Sequence, residues 1–176
     1  MKSKSVVLPA LLAAVVCVLA PWSVPVGPVP ISLASFAVYL VAAVGGWKNG
    51  TLAVLVYILL GALGVPVFAG FAGGAGVLAG VTGGYIVGYL PCALITGLLI
   101  DRRTESRWLW PAAMLMGTVV LYAVGTAWFL LVTKATLAYA ASVCILPFLP
   151  GDALKIAAAC LLGRPVRKRI AQKNQS

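Results

Sequence analysis

Long apolar stretches, separated by short polar, glycine-rich or proline-rich breaks, make up most of this chain. Their approximate bounds are residues 5–20, 31–47, 51–65, 77–100, 110–132, and a divided stretch at 136–146 and 152–162. A helix needs about 20 apolar residues to cross the hydrocarbon core of a bilayer. The pattern therefore predicts six transmembrane helices, of which the third needs extension by its flanks and the last is broken.

The composition supports this interpretation. The chain has 176 residues, of which 62% are hydrophobic and 9% charged. A soluble chain of this length buries only about 70% of its surface on folding, which is too little to hide so many apolar side chains. We therefore predict an all-α integral membrane protein, with one membrane domain over residues 1–176 and a basic tail at 163–176.

The net charge of +10 is concentrated on one side of the predicted helices. Lysines and arginines precede the first predicted helix and follow the last. They also lie in the loop between the second and third helices and in the loop between the fourth and fifth. The exceptions are Lys134 and Lys155. Lysine and arginine are enriched in cytoplasmic loops. The distribution predicts a multi-pass protein of a cytoplasmic membrane with both termini inside, and a solvated turn at 101–107. It also indicates contact of the tail with membrane lipid rather than a nucleic-acid partner. A cleaved signal peptide at the N-terminus is the alternative for the first helix.

The chain has two notable glycine-rich segments. Residues 64–76 form a predicted external loop, and residues 82–85 lie within the fourth apolar stretch. Residues 64–76 are apolar yet rich in helix breakers, and such a backbone cannot face lipid with its polar groups unpaired. We expect this external loop to fold against protein or to line a cavity. Thr82, Gly83, Gly84 and Tyr85 would allow close backbone approach to a ligand, or equally close helix packing.

Asp152 and Lys155 are ionisable residues in an apolar setting, directly after the break at 147–151. Their i, i+3 spacing puts both on one helix face. Ionisable groups at membrane depth usually mark a polar cavity or a transport pathway. A capping role for Asp152 or a purely structural ion pair remains an alternative, although a lysine near a helix N-terminus opposes the helix dipole.

Other chemistry has little support in the sequence. The chain has no histidine, and the spacing of its four cysteines fits no metal or disulfide framework. The phosphate-loop spacing of ATPases is missing, so ATP hydrolysis would require a partner chain. We expect no enzyme activity, no metal and no cofactor.

Several segments resemble the BioY family, the biotin-binding S components of energy-coupling-factor (ECF) vitamin transporters. They are residues 28–33 (PVPISL), 59–70 (LLGALGVPVFAG), 82–85 (TGGY) and 146–155 (LPFLPGDALK), in the family's order. The resemblance implies a six-helix S component that binds biotin near the external face. It also implies a membrane coupling subunit and two cytoplasmic ATPase subunits as partners.

The resemblance assigns roles to individual residues. Asp152 and Lys155 would contact the ligand, as would Thr82, Gly83 and Tyr85. Aromatic walls could come from Phe68, Phe71, Tyr85 and Tyr89, as ligand pockets usually require. Ala10 and Ala14, a small-xxx-small pair on the first helix, would form the docking surface for the coupling subunit. Ala34 stands where the family often has glutamine.

Three other functions compete with biotin uptake. The protein could be an S component for another vitamin, an ion-coupled secondary transporter, or a structural membrane protein. Ion-coupled carriers usually have more intramembrane acids than the single Asp152 found here.

Overall fold

The computed structural model of the protein describes residues 2–102 and 108–173. Within these ranges the α-helices are α1 (Lys2–Leu19), α2 (Ala34–Ala62), α3 (Ala75–Ala79), α4 (Gly83–Arg102), α5 (Leu109–Thr133), α6 (Leu137–Cys144) and α7 (Leu149–Lys173). A two-residue antiparallel pair, β1 (Ser23–Val24) with β2 (Ile31–Ser32), and a 3₁₀ turn at Ala69–Phe71 lie in the connections. The predicted helical class is confirmed.

Three helices, α2, α4 and α5, are long and apolar enough to cross a membrane. The pair α6 and α7, which is bent by 45°, would be a fourth span if both helices are counted together. Residues Val6–Leu19 of α1 form a shorter apolar helix. Among the described residues, length and composition alone thus support up to four spans.

Helix α2 is interrupted at Gly46, whose φ of 69° and ψ of −172° are not helical. A Cβ built on Gly50 would lie 2.7 Å from the Cα of Ala42. Residues eight apart in a continuous helix are separated by about 12 Å. The two halves of α2 therefore fold back on each other, and they correspond to the predicted second and third stretches.

The predicted break in the last helix is present, but its position differs. α6 ends at Cys144 and α7 begins at Leu149, so Pro150 lies inside the first turn of α7. Proline is tolerated there because the first N–H groups of a helix have no partner within the helix. α7 also continues to Lys173, so residues 163–173 of the predicted tail are helical.

The helices pack around α2 and α4. α4 contacts α2 and α5, while α1 and α7 pack against α2. The connections after α1, after α2 and before α7 meet at one end of the bundle. There, Gly70 N–H donates to the Pro21 carbonyl (2.9 Å), and Leu33 N–H donates to the Trp22 carbonyl (3.0 Å).

Hydrogen bonds within the glycine-rich connection and to α2 hold its backbone. Gly74 N–H donates to the Gly61 carbonyl at 2.7 Å, and Phe68 N–H donates to the Ala72 carbonyl at 2.9 Å. These bonds satisfy part of a backbone that could not face lipid.

Part of the predicted solvated turn at 101–107 is helical, because α4 includes Asp101 and Arg102. Residues 103–107 of that turn and residues 174–176 of the tail lie outside the described residues.

Candidate ligand-binding site

A cavity of about 190 Å³ lies where the connections meet the helix bundle. Residues from α2, α3, α4, α5 and α7 line it, together with residues from the connections before and after α2 and before α7. They are Val29, Pro30, Ser32, Ala34, Ser35, Tyr57, Phe68, Ala69, Ala72, Val77, Thr82, Tyr85, Ile86, Tyr89, Leu121, Tyr122, Phe148, Asp152 and Lys155. An apolar pocket with a few convergent polar groups is the usual form of a small-molecule site.

Asp152 is the buried acid of this cavity, with 4% of its surface exposed. Its position in the first turn of α7 places the carboxylate at the favourable end of the helix dipole. The Ser35 hydroxyl donates to Oδ1 at 3.0 Å, and the Tyr122 hydroxyl donates to Oδ2 at 2.6 Å. Three helices, α2, α5 and α7, thus hold one carboxylate.

Lys155 lies one turn later, and its Nζ is 3.0 Å from Asp152 Oδ1. The same Nζ donates to Ser35 Oγ, also at 3.0 Å. The predicted i, i+3 pair is therefore formed, and Ser35 closes a triangle with it. A buried charge is tolerated when it is paired and hydrogen-bonded, and this arrangement meets both conditions.

Unused hydrogen-bonding positions remain in this cluster. A carboxylate offers about four acceptor positions and an ammonium three donors. From the residues that the structure describes, Asp152 accepts three hydrogen bonds, and to them Lys155 donates two. The pair therefore still offers an acceptor and a donor side by side to a bound molecule.

Tyr85 and Thr82, both predicted site residues, line the cavity. The Tyr85 hydroxyl donates to the Cys144 carbonyl at 3.1 Å, which ties α4 to the end of α6. Its ring stacks on Phe148, with centroids 6.5 Å apart. The Thr82 carbonyl accepts from Tyr85 N–H at 3.1 Å, in the turn that precedes α4.

Phe68 and Tyr89 also line the cavity and are nearly fully buried. The Phe68 ring packs edge-on against Tyr57, with centroids 5.5 Å apart. Its tip occupies the space over Gly61, where an added Cβ would lie 2.1 Å from the ring. Phe68 is thus both a wall of the cavity and a support for α2.

The structure places two predicted site residues outside the cavity lining. Gly83 faces the backbone of Leu78, whose carbonyl oxygen would lie 1.8 Å from an added Cβ, so close packing within the protein accounts for this glycine. Phe71 is 58% exposed and packs edge-on against Trp22 at 5.8 Å. Its positive φ of 58° belongs to the 3₁₀ turn that turns the ring away from the cavity.

Ala10 and Ala14 are exposed on α1, while Ala13 and Val16 face the bundle. The predicted docking pair thus lies on a face of α1 that the described part of the chain leaves exposed.

Sequence reasoning did not identify Ser35 and Tyr122 as site residues. Ser35 directly follows Ala34, the position where the sequence departs from the resemblance, and Ala34 lines the cavity. Only the adjacency of Ser35 to that segment could have drawn attention to it. No sequence feature distinguishes Tyr122, because tyrosines within apolar helices commonly belong to the protein core.

Comparison with known proteins places this arrangement in a family. The BioY family profile matches residues 1–172. The chain is 42% identical over 146 residues to the biotin transporter BioY of Thermotoga maritima, covering 83% of this chain and 85% of that protein. It is also 42% identical over 162 residues to the probable biotin transporter BioY of Pyrococcus horikoshii, covering 92% and 95%.

A solved structure agrees with the sequence comparisons. The crystal structure of the S-component for biotin from an ECF-type ABC transporter superposes with a TM-score of 0.88 at 26% identity. The match covers 95% of this chain and 92% of the other. With its apolar helices and these matches, the chain is a membrane protein that belongs to the BioY family.

Proposed function

We propose that this protein binds biotin in the cavity and serves as the biotin-specific S component of an ECF-type transporter. The observation that carries the proposal is the Asp152–Lys155–Ser35 cluster in an otherwise largely apolar cavity. The family membership and the likeness to a biotin S component support the choice of ligand.

The free positions of the cluster match one edge of the ureido group of biotin. That group presents an N–H donor directly beside a C=O acceptor. Asp152 has an acceptor position left for the N–H, and Lys155 has a donor left for the carbonyl oxygen. Because Lys155 is already paired with Asp152, we assign it to the ureido oxygen rather than to the valerate carboxylate of biotin.

The remaining lining suits the rest of the ligand. Phe68, Tyr85 and Tyr89 would pack against the fused rings, since apolar and aromatic walls bury such groups favourably. Thr82 lies on the same wall at the start of α4. The valerate chain would point towards the connections, where its charge can be hydrated.

We further propose six crossings, made by α1, the two halves of α2, α4, α5, and α6 with α7. The fold-back at Gly46 and the bend between α6 and α7 support this count. Lys48, Arg102 and Arg167 then lie at the cytoplasmic end, and Lys134 ends α5 at the external end. Cytoplasmic enrichment of basic residues favours this orientation, with both termini in the cytoplasm of a prokaryote.

Transport would require partners, because the sequence offers no phosphate-loop motif. The partners would be two cytoplasmic ATPase subunits, which hydrolyse ATP, and a membrane coupling subunit. The coupling subunit would contact the exposed small face of α1 at Ala10 and Ala14, where close helix approach is sterically possible. Lipid would cover the remaining apolar surface.

A ligand titration tests this proposal. Purified full-length protein in lipid nanodiscs is titrated with biotin, riboflavin and thiamine, and binding is followed by calorimetry. We expect saturable binding of biotin alone. If another vitamin binds and biotin does not, the proposed ligand is wrong.

Two analogues test the orientation of biotin. Iminobiotin, which replaces the ureido oxygen by a nitrogen donor, should bind much more weakly because Lys155 would face a donor. Biotin methyl ester, which removes only the valerate charge, should lose less affinity. The reverse order would assign Lys155 to the carboxylate.

A further inference from the structure

A second polar cluster joins α7 to α2 and α4 at the end of the bundle opposite the cavity. Asp101, near the end of α4, forms an ion pair with Arg167 of α7 through Oδ1. Its Oδ2 accepts from Trp47 N–H at 2.9 Å. Arg167 Nη1 donates to the Ala43 carbonyl at 2.7 Å.

The break in α2 explains the sign and position of both charges. The first half of α2 ends beside Gly46, and its last carbonyl groups have no hydrogen-bond partner within the helix. The second half begins there, and its first N–H groups likewise have no partner within the helix. A helix C-terminus favours a cation and an N-terminus favours an anion. Arg167 meets the first of these ends at Ala43, and Asp101 meets the second at Trp47.

Gly46 makes the approach of Asp101 possible. An added Cβ at Gly46 would lie 2.6 Å from Asp101 Oδ2, which is too close for any side chain. The backbone there also has the positive φ that favours glycine. The turn of α2 and the Asp101 carboxylate are therefore fitted to each other.

Few side chains of helix α7 are fully buried. Its buried residues, among those whose side chains the structure describes, are Asp152, Ala159 and Gly163. Its leucines at 154 and 161 are exposed. Interlocking of large side chains usually sets the position of one helix along another, and on α7 the large apolar side chains that meet the core, Ile156, Cys160 and Ile170, are only half-buried. The polar contacts at the two ends of α7 therefore add to this partial packing in setting its position, as does Arg164, which lies over the Trp110 ring at 5.4 Å.

We propose that Asp101 and Arg167 are positioning residues that hold α7 in place and thereby hold Asp152 and Lys155 at the cavity. Arg167 lies 15 residues after Asp152, about 22 Å along the helix. A contact at that distance resists sliding and tilting of α7 more effectively than contacts close to the cavity do. The role in ligand binding rests on the proposed biotin site.

The test measures the position of α7 directly. Full-length protein carries spin labels at Leu59→Cys on α2 and Leu154→Cys on α7, both exposed, in a background without its four native cysteines. Distances between the labels are measured in nanodiscs for Arg167→Gln, Asp101→Asn and Arg167→Lys. The matched control is Arg169→Gln, an exposed arginine on the same helix.

We expect Arg167→Gln and Asp101→Asn to broaden or shift the distance distribution and to raise the biotin Kd about three- to tenfold, the range for one or two lost hydrogen bonds. Arg167→Lys keeps the charge but replaces the two guanidinium nitrogens, which bind Ala43 and Asp101 separately, by one ammonium nitrogen, so it should fall between Arg167→Gln and the parent. Arg169→Gln should leave distances and affinity unchanged.

Unchanged distances in Arg167→Gln and Asp101→Asn would overturn the proposal. Altered distances with parental affinity would overturn the ligand-positioning role. If Arg167→Gln does not fold, the same two criteria apply to Arg167→Lys. If the parent protein binds no biotin, the proposed function fails, while the distances still decide whether the cluster positions α7.

Discussion

The Tyr122 hydroxyl donates a hydrogen bond of 2.6 Å to Oδ2 of Asp152 and so connects α5 to the first turn of α7. Oδ1 of the same carboxylate is held from α2 by Ser35. Each oxygen thus has a donor from a different helix, which fixes the plane of the carboxylate. Charge-assisted hydrogen bonds of this kind are stronger than neutral ones.

Loss of the Asp152–Lys155 pair should affect ligand binding more than folding. Asp152→Asn and Lys155→Ala should each weaken biotin binding by tenfold or more, because a buried group left without its partner costs about 1–3 kcal/mol. The measurement is a double-mutant cycle followed by both biotin affinity and melting temperature. A purely structural ion pair predicts another result. Both single variants would then bind biotin with near-parental affinity, while their melting temperatures fall and that of the double variant is restored.

Tyr122→Phe should weaken biotin binding without changing the volume of the cavity wall. The change removes one donor to the Asp152 carboxylate, and a hydrogen bond to a charged group contributes about 1.5–3 kcal/mol. An affinity loss of roughly tenfold is expected by calorimetry. Tyr139→Phe, the same change at an exposed tyrosine of α6, serves as the control. Equal affinities of the two variants would contradict a role for Tyr122 in orienting Asp152.

Enlarging Ala10 or Ala14 should separate binding from transport. Ala10→Leu and Ala14→Leu should retain the parental biotin Kd, because both residues are exposed and lie outside the cavity lining. Uptake of labelled biotin by cells should fall, because a bulky side chain prevents close approach of another helix. Ala157→Leu on the exposed side of α7 is the matched control. If uptake stays at the parental level with both alanines replaced, the proposed docking role of α1 is wrong.

The proposed orientation predicts which side of the membrane two positions face. Gly76 has open space around its Cβ position, so Gly76→Cys should be tolerated and should react with an impermeant thiol reagent in intact cells. Lys48→Cys should react only after permeabilisation. The background again lacks the four native cysteines. Labelling of Lys48→Cys from outside would invert the orientation or change the number of crossings.

Apolar periodicity and charge placement predicted the helical membrane class and most helix positions. The breaks were less accurate: α7 begins three residues before Asp152 and extends through Pro165 to Lys173. Helix signals act over a few residues, so a proline near a helix start can be read either as a break or as part of the first turn. The fold-back within α2 required the backbone geometry of Gly46.

The sequence alone determined that Asp152 and Lys155 share a helix face in an apolar setting, because that follows from a spacing of three residues. Only the tertiary structure decided which groups surround them. Ser35 and Tyr122 lie 117 and 30 positions from Asp152, and Arg167 meets an acid 66 positions away. Such partners depend on how whole helices pack, and helix packing is set by the combined fit of many side chains rather than by any local pattern.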